Sequence, residues 1–253
     1  MSPKFRVAIP ARHDSVRLPG KPLRILAGSP LIEHVYRNAQ ASGAKDVIIA
    51  TDDERIRKVA EGFGATVCLT SAAHASGTDR LAELVERQGW AQDEIVVNLQ
   101  GDEPLIAPAL IRQVALGLAN HPAAALATLH TRIQTAHELF DPHIVKVVTD
   151  RQGYALYFSR APIPFHRTAF CETDQPAKLP DDTAYLRHIG LYAYRVETLR
   201  RYPQLPACAA EKAESLEQLR ALWNGLRIFV EEAVEIPPAG VDTEEIWRGS
   251  KLY

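Results

Sequence analysis

The sequence VAIPARHDSVRLPGKPL (residues 7–23) decides the fold class, because an apolar strand runs directly into a basic loop. The strand-like run covers residues 5–9 and stops at Pro10, after which Arg12, Arg17 and Lys21 follow in quick succession. A basic loop of this kind at the end of a strand is how α/β proteins hold phosphate groups. A solvated basic turn is the alternative, and the position directly after the first strand favours the phosphate interpretation.

This loop differs from the common phosphate-binding motifs. The motif G-x-x-x-x-G-K-[ST] is absent, since Pro22 follows Lys21, and no G-x-G-x-x-G follows a predicted strand. We therefore expect a different class of nucleotide-handling protein.

Composition limits the remaining choices. A chain of 253 residues with 46% hydrophobic residues suits one large α/β domain, and a formal net charge of −2 gives no reason to expect nucleic-acid binding. The N-terminal segment lacks a long apolar run and no run approaches bilayer length, so we expect neither a signal peptide nor membrane insertion. Cys68, Cys171 and Cys208 form no C-x-x-C pair, which predicts free thiols and a cytoplasmic protein.

Strand and helix signals alternate through the first half of the chain, which predicts a mostly parallel sheet with helices on both faces. Strand-like runs cover residues 5–9, 46–50, 66–69 and 94–99, and helical patterns cover 30–42, 54–63, 79–88 and 108–119. Further strands are predicted at 123–130, 144–149, 154–159 and 187–194, with an irregular, proline-containing segment at 161–184. We predict a single domain over 1–253 that includes a mixed-sheet subdomain, near residues 123–195, for substrate closure and dimer contact.

The C-terminal part of the chain predicts fewer elements. A helix is expected at 211–223, where Leu216, Leu219 and Leu222 form an apolar stripe with Trp223. A strand at 227–231, a turn at 237–240 and a short terminal helix follow.

Two acidic segments are candidate metal sites. QGDEP (residues 100–104) follows an apolar predicted strand, where a carboxylate is well placed to bind Mg²⁺. Asp102 is the better ligand candidate, and Glu103 is either a second ligand or exposed. A simple turn is the alternative. In GVDT (residues 240–243), Asp242 either caps the next helix or completes a metal site with Asp102, and the local sequence leaves both possibilities open.

Other polar residues have both a structural and a functional interpretation. SGTDR (residues 76–80) precedes a helix, and Thr78 or Asp79 is a candidate N-cap, although the same geometry offers donors to a ligand. Arg160 and His188 lie near strand ends. The arginine either binds a carboxylate or forms a surface ion pair, and the histidine is either a binding residue or a core histidine with its hydrogen bonds satisfied. Glu217 lies beside the apolar stripe of its helix, on a solvated face or at the edge of a cleft.

Several segments together carry a resemblance to a known family. They are PAR-x4-RLPGKPL (10–23), SGTDRL (76–81), VNLQGDEPLI (97–106), KVV (146–148), LYFSRAPIP (156–164), RHIGLYAYR (187–195), ESLEQLRAL (214–222) and GVDT (240–243). In this order they resemble the 3-deoxy-manno-octulosonate cytidylyltransferases, or CMP-Kdo synthetases.

The resemblance implies a Rossmann-like α/β fold of the nucleotide-diphospho-sugar transferase type. It also implies the reaction CTP plus 3-deoxy-D-manno-octulosonate (Kdo) to CMP-Kdo plus diphosphate, with Mg²⁺, in a homodimer that serves lipopolysaccharide biosynthesis. A cytidylyltransferase for a related acidic sugar, such as 8-amino-Kdo or a nonulosonic acid, is the alternative. A nucleotide-binding regulator without catalysis is a third hypothesis. The presence of both Asp102 and Asp242 disfavours it, because a non-catalytic binder does not need both carboxylates.

The matched positions imply a role for each candidate residue. The catalytic set is Arg12 and Lys21 in the triphosphate loop, with Asp102 and Asp242 as metal ligands. Positions around the cytidine are Ala11, Ser76 and Arg80. The implied Kdo pocket, reached partly from the mixed-sheet subdomain, consists of Gln100, Arg160, His188, Tyr192, Glu217 and Gln218.

Overall fold

Strands and helices alternate through the first half of the computed structural model, which describes residues 4–13, 20–74, 76–171 and 178–238. The strands are β1 (Phe5–Ala11), β2 (Ile25–Leu26), β3 (Ser29–Pro30), β4 (Val47–Thr51), β5 (Thr66–Leu69), β6 (Ile95–Asn98), β7 (Leu126–Arg132), β8 (Lys146–Thr149), β9 (Ala155–Ser159), β10 (Leu186–Arg195) and β11 (Ile228–Glu232). The helices are α1 (Leu31–Ala41), α2 (Glu54–Gly62), α3 (Gly77–Gln88), α4 (Pro108–Asn120), α5 (Ala136–Phe140), α6 (Arg167–Phe170), α7 (Val196–Arg201), α8 (Ala209–Glu214) and α9 (Gln218–Trp223).

The central sheet has the strand order β5-β4-β1-β6-β10-β7-β11. Strand β1 pairs in parallel with β4 and β6, β4 with β5, and β7 with β11, whereas β10 is antiparallel to both of its neighbours in this order. The predicted mostly parallel α/β sheet is thereby confirmed. Parallel strands that run together end at one edge, so the loops after β1, β4 and β6 meet there.

Strand β1 is buried over its whole length because helices cover both faces of the sheet. Side chains alternate along a strand, so Val7 and Ile9 pack on one face with residues of α1 and α4. Ala8 faces the other side and packs with Leu81 and Leu84 of α3. The central strand is therefore held from both sides, and the loop that follows it starts from a fixed point.

The expected mixed-sheet subdomain contains two kinds of strand. Strands β7 and β10 lie within the central sheet, whereas β8 and β9 form an antiparallel hairpin that joins the sheet through the pairing of β8 with β10 and through a bridge between Tyr154 and Phe229 of β11. The segment predicted as irregular contains the short helix α6 among its described residues. The predicted terminal helix lies outside the described residues.

The predicted single helix over residues 211–223 is wrong. The chain forms α8 and α9 instead, and Ser215 between them has a left-handed backbone with φ 52°. Because the apolar stripe continues through the break, periodicity alone does not reveal it. The predicted N-cap of α3, Thr78 or Asp79, is also wrong. Ser76 caps the helix and forms a capping box with Asp79.

Candidate active site

A cleft of about 240 Å³ opens where β1 and β6 end. Five of the predicted site residues contribute to its lining: Ala11, Arg12, Lys21, Gln100 and Asp102. These residues come from two separate loops, and the parallel pairing of β1 with β6 brings them together.

An ion pair lies at the centre of the cleft. Lys21 Nζ donates to Asp102 Oδ2 at 2.9 Å, with the lysine side chain 5% exposed and the aspartate side chain 42% exposed. The ammonium group is thus largely removed from water, whereas the carboxylate still faces the open cleft. A cation in such a low-dielectric position interacts more strongly with a bound anion than a surface lysine does.

Two glycines allow the loops to approach this closely. Gly20 has a φ of 68°, and its N–H donates to the carbonyl of His13 at 2.9 Å, which closes the loop just before Lys21. Gly101 N–H donates to the carbonyl of Pro10 at 3.2 Å, and a Cβ on Gly101 would lie 2.8 Å from that oxygen. The ends of β1 and β6 therefore meet at main-chain distance.

Arg12 is held from the other side of the cleft. Its Nη2 donates to the carbonyl of His74 at 2.9 Å. The His74 ring contacts the carboxylate of Glu83, which also accepts the N–H of Ser71 at 2.8 Å. The side chain of Glu83 on α3 thereby fixes the loop that orients Arg12.

Ser76 connects the N-terminus of α3 to the turn before α9. Its hydroxyl donates to Glu217 Oε1 at 3.0 Å while it caps α3. Burial raises the pKa of the Glu217 carboxyl, and hydrogen bonds from Ser76 and Thr78 oppose this shift. Gln218, the first residue of α9, is buried beside Glu217. These residues form one connected group at the N-terminus of α3.

A smaller pocket of about 90 Å³ adjoins the cleft, and Gln100 lines both. His188 lies in this pocket, and burial lowers the pKa of its imidazole so that it is neutral at pH 7. A bulge in β10 between Ile189 and Tyr192 shapes the wall. The hydroxyl of Thr128 lies under the bulge, 3.0 Å from His188 Nε2 and within 2.9 Å of the carbonyl oxygen of Ile189.

Tyr192 packs against this histidine, with ring centroids 5.3 Å apart, and burial raises the pKa of its phenol. Its hydroxyl is buried without a hydrogen-bond partner among the described residues. Tyr192 is not among the residues that line the smaller pocket, so it supports His188 through ring packing.

Six predicted site residues line neither the cleft nor the smaller pocket: Ser76, Arg80, Arg160, Tyr192, Glu217 and Gln218. The Arg80 side chain is fully buried, where it donates to Asp52 Oδ2 at 3.0 Å and to the Thr70 hydroxyl. It therefore fixes the ends of β4 and β5 from below the site. Arg160 donates through Nε to the carbonyl of Glu214 at 2.7 Å and through Nη1 to that of Pro142 at 2.9 Å.

One of the two predicted Mg²⁺ ligands, Asp102, lies within the described residues. Asp102 offers a partly exposed carboxylate next to Lys21, and a hard oxygen ligand beside phosphate-binding cations suits this ion. Asp242 lies outside the described residues. Within the described part of the chain, His, Cys, Asp and Glu side chains form no cluster of three or more that could hold a metal. One or two carboxylates plus substrate phosphates are a common Mg²⁺ arrangement, so the residues present fit the ion.

Some residues that shape the site were not predicted from the sequence. Thr128, Glu83 and Gly101 are examples, since each acts through main-chain contacts that depend on strand order. Only Gly101 carried a signal, because glycine directly after a buried strand indicates close backbone approach.

Comparison with known proteins identifies the family to which this chain belongs. Residues 7–228 match the cytidylyltransferase family. The chain is 56% identical over 245 residues to the 3-deoxy-manno-octulosonate cytidylyltransferase of Pasteurella multocida (strain Pm70), covering 95% of both chains. It is 54% identical over 239 residues to the enzyme of that name from Nitrosococcus oceani, covering 94% of this chain and 92% of the relative.

A solved structure agrees with these relatives. The structure of CMP:2-keto-3-deoxy-manno-octonic acid synthetase complexed with CTP superimposes with a TM-score of 0.87 at 42% identity, covering 97% of this chain and 96% of the other. The fold and the cleft thus define a nucleotidyltransferase that uses a cytidine nucleotide. The chain belongs to the cytidylyltransferase family and, within it, to the 3-deoxy-manno-octulosonate cytidylyltransferases.

Within the described ranges, no helix combines the length and apolar character that crossing a bilayer requires.

Proposed function

We propose that the cleft transfers the cytidylyl group of CTP to Kdo and releases diphosphate, as a step towards lipopolysaccharide. The observation that carries this proposal is the meeting of Arg12, Lys21 and Asp102 in one cleft at the ends of β1 and β6. Two cations and a carboxylate in this position suit a triphosphate with its divalent ion. The names of the relatives favour Kdo over a related acidic sugar.

In the proposed reaction, the anomeric hydroxyl of Kdo attacks the α-phosphorus in line. The new bond joins that oxygen to phosphorus, the hydroxyl proton passes to solvent water, and the bond from the α-phosphorus to the bridging oxygen of the diphosphate breaks. Negative charge builds up on the leaving diphosphate, and Lys21 and Arg12 stabilise it electrostatically. Bound Mg²⁺ supplies further neutralisation of phosphate charge, with Asp102 and Asp242 as its proposed ligands.

The remaining residues are proposed to hold and orient the two substrates. The cytidine side consists of Ala11 and Ser76, with Arg80 as a buried support. The acidic sugar is assigned to the smaller pocket and the adjoining α9 turn, with these proposed contacts: Gln100, Arg160, His188, Tyr192, Glu217 and Gln218. A neutral imidazole at His188 can hydrogen-bond a sugar hydroxyl without adding charge.

We also propose a cytoplasmic homodimer in which the β8–β9 hairpin contributes to the contact. Leu156 is 60% exposed and Tyr157 39% exposed on β9, an unusual placement for large apolar side chains. Light scattering after size exclusion tests this, since Leu156→Asp should convert a dimer into a monomer. A monomeric wild-type protein would contradict the proposal.

The substrate is tested by measuring diphosphate release with CTP and Mg²⁺ in the presence of Kdo, 8-amino-Kdo or a nonulosonic acid. We expect the highest kcat/KM with Kdo. Asp102→Asn should lower this value at least about 100-fold, because it removes a carboxylate from the cleft. Asp93→Asn is the matched control, since Asp93 is exposed and lies just before β6 begins, at the end of the strand away from the cleft. A higher kcat/KM with another sugar would change the assigned substrate.

A further inference from the structure

Lys146 at the start of β8 has an unusual environment for a lysine. The residue is fully buried, and its Nζ donates to the carbonyl oxygens of Asp141 at 3.0 Å, of Ile144 at 2.7 Å and of Arg160. Three main-chain acceptors match the three N–H donors of an ammonium group. Burying a lysine is costly unless its donors are satisfied, and here the partners come from two separate segments of chain.

Arg160, whose carbonyl is one of these acceptors, also belongs to a second hydrogen-bonded cluster with Ser159 and Glu214. The carboxylate of Glu214 accepts the hydroxyl of Ser159 at 2.6 Å and the N–H of Arg160 at 2.9 Å. Arg160 Nε in turn donates to the carbonyl of Glu214 at 2.7 Å. The end of β9 thus donates three hydrogen bonds to Glu214 at the end of α8, and Lys146 holds the β9 side.

The chain beyond Glu214 enters the proposed sugar side of the site. Ser215 is left-handed, which turns the chain sharply, and Glu217 and Gln218 follow within three residues. The carbonyl of Glu217 accepts the hydroxyl of Tyr202 at 2.9 Å, and its carboxylate accepts the hydroxyl of Ser76. A displacement at Glu214 should therefore move Glu217 and, through it, disturb the contacts to Tyr202 and to Ser76 at the N-terminus of α3.

We propose that Lys146 is a positioning residue for sugar binding: its ammonium group fixes the main chain of Arg160 and, through Glu214, the turn that presents Glu217 and Gln218. This inference rests on the proposed function, because it assigns Lys146 to the sugar side of that site. Lys146, Ser159 and Glu214 all lie in segments that the resemblance singled out, yet none has a role in the reaction as described above.

Three charged neighbours influence the protonation of Lys146. Asp141 and Glu214 favour the ammonium form, Arg160 opposes it, and burial lowers the pKa of Lys146 to about 8. Above that pH the neutral amine has two N–H donors for three carbonyl acceptors, so one contact is lost. We therefore expect KM for the acidic sugar to rise as pH increases through about 8.

Unfolding does not account for such a rise. Because the pKa of Lys146 is lower in the folded chain than the value of about 10.5 in the unfolded chain, the folded state binds fewer protons between these values. The contribution of this group to stability consequently increases with pH in the same range in which sugar binding weakens.

The test compares Lys146→Met with Lys212→Met, because Lys212 is an exposed lysine on α8. Diphosphate release is measured from pH 7 to pH 9 while Kdo and CTP are varied in turn. For Lys146→Met we expect KM for Kdo to rise about tenfold, KM for CTP to change less than about twofold, and the pH dependence of the Kdo KM to disappear. Lys212→Met should match the wild type.

Glu214→Gln provides a second arm that does not depend on Lys146→Met folding. Removing the Glu214 charge should lower the pKa of Lys146, so the rise in KM for Kdo should begin at lower pH than in the wild type. Equal increases in both KM values, or an unchanged pH midpoint in Glu214→Gln, would overturn the inference alone. A wild type that releases no diphosphate with Kdo would remove the proposed function, and this inference with it.

Discussion

Replacing Gly101 with alanine tests whether the two strand ends that form the cleft must touch at main-chain distance. The added Cβ would lie 2.8 Å from the carbonyl oxygen of Pro10, 3.2 Å from Ile32 Cδ1 and 3.3 Å from Ala11 Cβ. The nearest atom belongs to the backbone and cannot rotate away. Because an unstrained contact of a carbon atom needs about 3.5 Å, the turn after β6 must move by roughly 0.7 Å from the end of β1.

This displacement has two measurable consequences. Overpacking of this kind should lower the free energy of unfolding by about 1–3 kcal/mol. Asp102 follows Gly101 directly, so its carboxylate should move away from Lys21, with which it now pairs at 2.9 Å. A misplacement approaching 1 Å costs up to about 100-fold in rate, so we expect kcat to fall by about 10- to 100-fold.

Urea unfolding gives the change in stability, and diphosphate release at saturating CTP and Kdo gives kcat. Gly62→Ala is the matched control, since Gly62 lies in α2 and a Cβ there meets no heavy atom within 4 Å. The control should keep wild-type kcat and gain about 0.5–1 kcal/mol in helix stability. Wild-type kcat and unfolding free energy in Gly101→Ala would refute the close-contact reasoning.

Three further changes have defined outcomes. Lys21→Ala should lower kcat about 100- to 1,000-fold with an unchanged circular dichroism spectrum, and full activity would exclude a phosphate role; Lys45→Ala, at an exposed lysine, is the control. Glu217→Gln should raise the unfolding free energy more at about pH 8 than at about pH 4.5, because a raised folded pKa makes the ionised carboxyl destabilising as pH increases. An equal effect at both pH values in urea titrations would contradict this. Ser215→Gly should increase Tm, corresponding to roughly 0.5–1 kcal/mol, because φ at Ser215 is 52°, and a decrease would argue against backbone strain there.

The first half of the fold could be predicted because each element carries its own local pattern. Strand β1 is apolar apart from Arg6, and α3 shows helical spacing from Leu81 to Val85. The two elements α5 and α7, with 5 and 6 residues, were missed because so few positions give no clear periodicity. The insertion of β10 between β6 and β7 depends on pairing between segments far apart in the chain, which local pattern does not encode.

The candidate site shows the same division. Lys21 and Asp102 could each be assigned to the site because each follows a predicted strand, whereas their direct contact at 2.9 Å emerges only from the structure. The burial of Arg80 could not be predicted, because a charged side chain next to a helix N-terminus normally faces solvent. Its partners, Asp52 and Thr70, become neighbours only through the pairing of β4 with β5.

The most direct test of the account is diphosphate release by the wild-type protein with CTP and Mg²⁺, in the presence and absence of Kdo, and with EDTA as a control. A metal-dependent cytidylyl-transfer site should give release that requires Kdo and stops when EDTA removes the metal. Release without Kdo, release that persists in EDTA, or no release with any acidic sugar would contradict the assignment of this cleft as a cytidylyl-transfer site.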